Sequence, residues 1–559
     1  MNARPAPSAP SARVRALAAV GGRAALVALV TALGCRPAAP PPPPAGTPRL
    51  VVLVVVDQLR PDYLERADAL LTGGLRRLLD EGLVFTEARH GHAVTDTGPG
   101  HAALATGTGP ARSGIVGNVW FDRGQDDWVY CVEDDDEAIG PDRLLTSALG
   151  DWLRQRYPAA RVVAASGKDR GAVLLAGHDG LAVWYETDDG TFDAAGPGPG
   201  WLRAFNERGL PPELFAGATW EPLPVDPTAA AAAGFAPFDR GPFDHGLSRL
   251  LGGAATTPAG SFWAAVYRSP FVDEHVARVA RAAIEAEDLG GDEWPDLLGL
   301  SFSALDTVGH EYGPASLEVL DTLLRLDRSL GELFDLLDRR LGRGSWMVAL
   351  SADHGVADIP EVAAEAAGGG RRWGVPEVSC VRRAGAAVAA RYGTGVWLAS
   401  GYLDRPEIAR RGFDLDEVTE AAAVELEGCP GVAAVWTRGR LTGDLPAGAG
   451  PEMRDLYRAA WHPERSPDLL LQVAAGDVTV PGTNTTHGSP WDYDRHVPLV
   501  LAGAGVAPGR VERPVRTVDL APTLARLLGV EPPAGIDGRA LQEVVRAAAP
   551  AEATPPGRP

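Results

Sequence analysis

Three apolar runs in this chain lead into aspartates: LVVLVVV before Asp57, LLGLSF before the segment carrying Asp306, and SWMVALSA before Asp353. Consecutive apolar and β-branched positions of this kind read as strands buried on both faces, the pattern of a parallel sheet covered by helices. The expected fold class is therefore α/β, with a central, mostly parallel sheet flanked by helices. In open sheets of that class, ligands bind beyond the carboxyl ends of the strands, and that is where the aspartates fall. Carboxylates gathered at one edge repel one another and lose solvation unless a cation lies between them. A divalent metal is the simplest neutraliser.

The donor inventory narrows the choice of metal. Asp306, His310 and His487 make one mixed nitrogen and oxygen set, and Asp57, Asp353, His354 and the Thr97 oxygen make a second. Sets of this chemistry with few waters suit zinc. Asp306 and His310 are four residues apart and so share one face of a helical turn. Asp353 and His354 are neighbours, so the backbone must leave the strand there, and Gly355 is expected to permit that turn. Taken singly, each residue also has an ordinary reading as a helix cap, a loop histidine or a helix start. It is the constellation that carries weight.

The segments VVVDQLRPDYL, ARHGHAVTDTGPGHAALATGTGPARSGIVGNVWFD, SGKDRGAVLLAGH, SFSALDTVGHEYGP, LSADHGV and THGSPWDYDRHVPLVLAG occur in that order. Together they resemble the type I phosphodiesterase and nucleotide pyrophosphatase branch of the alkaline phosphatase superfamily. Within it the likeness is strongest to the threonine-nucleophile alkaline phosphatases, over about residues 48 to 545. The resemblance implies an alkaline-phosphatase-like sheet with inserted cap segments and hydrolysis of a broad range of small phosphate monoesters. It implies Thr97 as nucleophile and a phospho-threonine intermediate, with Asn118, Lys168 and Arg170 binding the phosphoryl oxygens. Two zinc ions would sit on Asp306, His310 and His487, and on Asp57, Asp353, His354 and Thr97.

The residues make chemical sense of that assignment. An aliphatic hydroxyl is not ionised at neutral pH, and a bound dication lowers the pKa of an oxygen ligand by many units. Gly98 and Gly100 around Pro99 are expected to keep the backbone close, so that amides of the following helix face an anion. If GKDRG is extended, Lys168 and Arg170 point to one side and Asp169 to the other. Extra cations favour a monoester, which presents more charged oxygens than a diester. A sulfatase would need a C/S-x-P-x-R context, and Thr97-Gly-Pro-Gly-His lacks it. A membrane phosphoethanolamine transferase would need several spans of roughly 20 apolar residues, and none follows the leader. A nucleotide pyrophosphatase or phosphodiesterase is the alternative enzyme. An exported metal- or phosphate-binding protein is the non-enzyme alternative, and it has no use for Thr97.

Arg13, Arg15 and Arg23 precede the short apolar core AALVALVTAL, so residues 1–35 read as a signal peptide. TALGC gives Cys35 as an alternative lipid attachment site. Export follows, to the periplasm or to a lipid anchor on the envelope. Residues 36–48 are a proline-rich spacer, 49–545 one catalytic domain with insertions near 180–275 and 365–455, and 546–559 a disordered tail. The stretch RTVDLAPTLARLLGV reads as a short strand, a helix with Pro522 near its start, and a closing glycine. Cys131, Cys380 and Cys429 allow one bridge, its pair undetermined. A net charge of −21 argues against a nucleic-acid partner or an anionic membrane surface. A monomer is expected.

Overall fold

The computed structural model describes residues 41–136, 138–209, 220–236, 260–367, 369–480 and 483–548. The signal segment with Cys35, residues 36–40 of the proline-rich spacer and residues 549–559 lie outside the described residues.

In chain order the strands of the central sheet are β1 Leu50–Val56, β2 Leu83–Phe85, β3 Val162–Ser166, β4 Leu181–Tyr185, β5 Phe192–Ala194, β6 Asp296–Phe302, β7 Trp346–Ser351, β8 Leu499–Gly503 and β9 Gly509–Val511. They lie in the order β9-β2-β8-β7-β1-β6-β3-β4-β5. Only β5 and β8 run against the others. The sheet is therefore mixed and mostly parallel, as the apolar runs required.

The helices that matter here are α1 Thr97–Thr106, α2 Asp169–Ala176, α3 Phe271–Ala286, α4 Ala304–Tyr312, α5 Leu317–Leu341, α6 Val375–Tyr392, α7 Leu415–Glu427 and α8 Leu520–Leu527. Strand β1 shows why both faces need cover. Leu50, Val52, Val54 and Val56 join one core with Val276 and Val279 of α3 and Leu323 and Leu330 of α5. Val51, Leu53 and Val55 join another with Leu104 of α1, Val173 of α2 and Leu524 of α8. Side chains alternate across a strand, so an unbroken apolar run must feed two cores. Each such Val or Leu contributes roughly 1.5–3 kcal/mol by burial.

The register then places the aspartates. Val56 stands beside Phe302 of β6, and Val55 beside Ser351 of β7. The three strands end level, and Asp57 continues the ladder by donating its N–H to the Phe302 carbonyl at 2.9 Å. One residue beyond each strand the chain turns into the loop or helix that carries a polar group. The site is thus built on the middle of the sheet, at its carboxyl edge.

Of the stretch near 180–275 expected to be inserted, residues 210–219 and 237–259 lie outside the described residues, and the described part opens with β4 and β5, which extend the central sheet. From residue 375 onward, α6 and α7 share a small core of their own, including Val388, Tyr392, Val418, Ala422 and Val435. Val432–Thr437 pairs there with Leu469–Val473, so this layer runs beyond residue 455. The last helix spans Gln542–Ala548, so helical backbone continues past the expected start of the tail. Leu520–Leu527 is helical with Pro522 in its first turn, after the short strand Val515–Arg516.

Cys380 on α6 bonds to Cys429 just after α7, across a sequence separation of 49, and Cys131 is free and buried. Closing a loop of that length stabilises by about 4 kcal/mol in the chain-entropy view. Cys429→Ser is expected to lower the stability of the α6–α7 layer by about 2–4 kcal/mol, read by denaturant unfolding in parallel with the unsubstituted protein. The change should match the effect of a reductant.

Candidate active site

All three histidines expected at the site are oriented in the same way. His310 Nδ1 lies 2.9 Å from the Thr485 carbonyl, His354 Nδ1 2.9 Å from that of Gly355, and His487 Nδ1 2.9 Å from that of Thr95. A carbonyl can only accept, so each Nδ1 carries the hydrogen, and it is Nε2 that the neutral ring offers as a lone-pair donor. Those Nε2 atoms face carboxylates. His310 and His487 Nε2 stand 3.1 and 3.5 Å from Asp306 Oδ1. His354 Nε2 stands 3.3 Å from Asp57 Oδ1 and 3.5 Å from Asp353 Oδ2. The rings of His354 and His487 stack at 3.5 Å, which brings the two sets side by side.

A metal ion fits this arrangement on two grounds. Asp57 Oδ1, Asp353 Oδ2 and His354 Nε2 are buried and have no hydrogen-bond partner, a condition proteins avoid unless something else satisfies the atoms. The separations also match. Donors about 2.0–2.2 Å from one ion at tetrahedral angles stand roughly 3.3–3.6 Å apart. Asp306, His310 and His487 form one convergent group, and Asp57, Asp353 and His354 the other.

The electrostatics agree. Burial, with Asp306 and Asp353 nearby, pushes Asp57 well above the usual carboxylate range, against the pull of Lys168. Burial acts in the same direction on Asp306, but Lys168 and His310 outweigh it and hold that carboxyl low. Burial lowers His354 to about 3, which keeps it neutral, the form a metal requires. Gathering the carboxylates at one buried edge disfavours their joint ionisation, and a dication removes that conflict.

Thr97 begins α1, fully buried, with Asp96 in extended backbone ahead of it. A Cβ on Gly100 would stand 2.2 Å from the Asp353 carbonyl oxygen, so only glycine lets α1 lie this close to the second set. Arg170 Nη2 lies 3.5 Å from Thr97 Oγ1. Asn118 Oδ1 accepts from Gly98 N at 2.8 Å, leaving the two amide hydrogens of Asn118 as donors. The same contact takes one of the helix amides expected to face an anion. Lys168 Nζ donates to Asp57 Oδ2 and, at 2.7 Å, to Asp306 Oδ2. Each of these aspartates thus turns one oxygen to the histidines and the other to Lys168.

Two local expectations are corrected. GKDRG is not extended, because α2 starts at Asp169 with Lys168 as its cap. Asp169 therefore does not face away; it accepts from Tyr130 OH at 2.5 Å, while Arg170 Nη1 donates to that same hydroxyl at 3.1 Å. Gly355 does not take a positive φ. It is needed because a Cβ there would stand 2.2 Å from the Tyr493 carbonyl oxygen.

Some residues at the site escaped sequence reading. His101 is fully buried, its Nδ1 2.9 Å from the Thr97 carbonyl and 3.3 Å from Asp353 Oδ2, its Nε2 2.8 Å from Ser301 Oγ. Its spacing of four from Thr97 on a helix could have signalled this. Tyr130 orients Arg170, and Gln58 donates from Nε2 to Asp306 Oδ1 at 2.7 Å. No pattern in the sequence marks those two.

A strong chelator is expected to lower the melting temperature of the purified protein. An ion that binds only the native state at a hundred times its Kd contributes about 2.7 kcal/mol of stability. Calorimetry with and without chelator reads the shift, and an unchanged melting temperature would count against a metal at these groups.

Residues 51–496 match the family described as type I phosphodiesterase / nucleotide pyrophosphatase. The chain is 30% identical to alkaline phosphatase PhoV of Synechococcus elongatus, covering 89% of this chain and 93% of that protein. It is 32% identical to alkaline phosphatase PhoK of a Sphingomonas species, covering 89% and 92%. The crystal structure of alkaline phosphatase PafA superposes with a TM-score of 0.78 at 28% identity, covering 89% of this chain and 99% of that one.

Proposed function

The chain belongs to the type I phosphodiesterase / nucleotide pyrophosphatase family, within the alkaline phosphatase superfamily, and from that membership we propose an exported, zinc-dependent phosphate monoesterase of broad substrate range. The hydrolase class rests on alkaline phosphatases about 30% identical over most of the chain. What carries the finer reading is one juxtaposition. Thr97 Oγ1 stands beside Arg170, at a sheet edge where two convergent groups of metal-ligand atoms meet, the Asp57, Asp353 and His354 atoms having no hydrogen-bond partner.

In this reading Asp306, His310 and His487 hold one zinc, and Asp57, Asp353 and His354 hold the other, with Thr97 on the second. The two ions, when bound, supply the charge that ionises a hydroxyl and offsets negative charge growing on the ester oxygens. Thr97 Oγ1 attacks phosphorus, the bond to the leaving alcohol breaks, and a phospho-threonine results. Water then attacks the same phosphorus and returns Thr97 with inorganic phosphate. Arg170 and the Asn118 amide hold the non-bridging oxygens. Lys168 adds its charge from between Asp57 and Asp306. Tyr130 fixes the Arg170 guanidinium, and His101 fixes the α1 backbone against Asp353. Closely placed, preorganised cations are worth most where charge develops.

Export is supported by the charged and apolar order of the first 35 residues and by the Cys380–Cys429 bridge, which suits an oxidising compartment. The destination is the periplasm, or the envelope through a lipid on Cys35. Among the described residues no helix is long and apolar enough to cross a membrane. The partners are small phosphate esters, and the enzyme acts as a monomer. Purified protein should hydrolyse p-nitrophenyl phosphate with a higher kcat/KM than bis(p-nitrophenyl) phosphate. The reverse order would make it a phosphodiesterase, and no hydrolysis of either would leave the binding-protein reading.

A further inference from the structure

Gln58 occupies a backbone conformation that its residue type disfavours. Among the described residues, four non-glycine positions have positive φ: Gln58 at 67°, Asp126, Asp288 and Ser400. Asp126, Asp288 and Ser400 are exposed, whereas Gln58 is fully buried. Left-handed backbone at a buried residue that is neither glycine nor asparagine persists only where the surroundings enforce it, and such positions cluster at functional sites.

What Gln58 touches explains the enforcement. Its Nε2 donates to Asp306 Oδ1 at 2.7 Å, the same oxygen that His310 and His487 face. Its backbone N–H donates to Asp353 Oδ1 at 3.2 Å, and its chain neighbour is Asp57. One residue therefore contacts a carboxylate of each ligand set, one through its side chain and one through its main chain. The left-handed turn is what lets both happen, since it swings the side chain toward α4 while the N–H stays on Asp353. Helix α4 is shaped to receive it. A Cβ on Gly309 would stand 2.0 Å from Gln58 Oε1, so the glycine one residue before His310 leaves room for the amide.

We propose that Gln58 is a positioning residue that fixes the rotation of the Asp306 carboxylate and so sets the metal affinity of the Asp306, His310 and His487 group, leaving the Asp57, Asp353 and His354 group largely untouched. A donor held against a ligating carboxylate selects which lone pair faces the ion, and removing such partners commonly weakens metal binding by about 10- to 100-fold. Because the contact to Asp353 is made by the main chain, truncating the side chain should spare that half.

The inference rests on reading the two groups as metal sites, and the test separates the two claims. Full-length wild type, Gln58→Ala and Gln58→Gly are titrated with zinc in chelator-buffered solutions, and bound zinc per chain is measured. Wild type should bind two ions. Both variants should show one site weakened by about 10- to 100-fold and the other unchanged. The glycine variant takes positive φ without strain, so equal losses in both variants assign the effect to the lost amide. If wild type binds no zinc, the metal reading itself falls. If wild type binds two and the variants match it, or both sites weaken together, the role given to Gln58 is wrong. A loss in Gln58→Ala that Gln58→Gly restores would make the effect backbone strain and would also overturn the proposal.

Discussion

Thr97→Ala is expected to abolish phosphate-ester turnover, on the order of 10⁴-fold or more as for removal of other covalent nucleophiles, while both ligand groups keep their ions. The substitution removes the attacking oxygen and nothing that positions the carboxylates. Those are held by Lys168, Gln58 and the strand register. The helix packs on Asp353 through Gly100 and His101, neither of which changes. Thr97→Ser should keep part of the activity, since its hydroxyl can occupy the same place beside Arg170. Steady-state rates and metal content on the same preparation decide the matter. Near-native turnover in Thr97→Ala would remove Thr97 from the nucleophile role.

The second large effect concerns the two cations, which the structure shows to be unequal. Arg170 faces Thr97 Oγ1 and is braced by Tyr130, so its loss should act on the phosphoryl group. A charge-assisted contact of about 1.5–3 kcal/mol corresponds to roughly one to two powers of ten in rate. Arg170→Ala should therefore lower kcat/KM for a monoester by about 10- to 100-fold, and for a diester by less. Lys168 is almost wholly buried between Asp57 and Asp306. Its removal leaves two buried carboxylates without their cation, and breaking one partner out of such a pair typically costs about 3–5 kcal/mol. Lys168→Ala should then reduce activity toward both substrate classes and lower stability as well. The double variant should lower the monoester-to-diester ratio at least about tenfold. An unchanged ratio would favour a phosphodiesterase.

The parts of the site legible in the sequence were those tied to regular structure. β1, β6 and β7 announced themselves as apolar runs, and once they were parallel neighbours their ends had to coincide. Asp306 and His310 were legible because a helix follows β6 at once. The sequence reading failed where tertiary packing decides. Lys168 and Arg170 read as alternating because nothing local shows that α2 begins between them. The role of Gly355 is not legible locally, because the carbonyl it accommodates belongs to Tyr493, far along the chain. The Cys380–Cys429 pair required α6 and α7 to lie side by side. Strands β4 and β5 were hidden by their shortness in a stretch rich in glycine and tryptophan. Gln58 carries no sequence signal, since its importance lies in one φ angle and two hydrogen bonds.

If two metal ions at these groups make Thr97 a nucleophile toward phosphate monoesters, stripping the full-length enzyme with chelator and adding back zinc should switch p-nitrophenyl phosphate hydrolysis off and on. Activity should be absent without metal, rise with added zinc, and level off at two ions per chain. Full recovery with magnesium alone, or undiminished activity in the stripped protein, would contradict it.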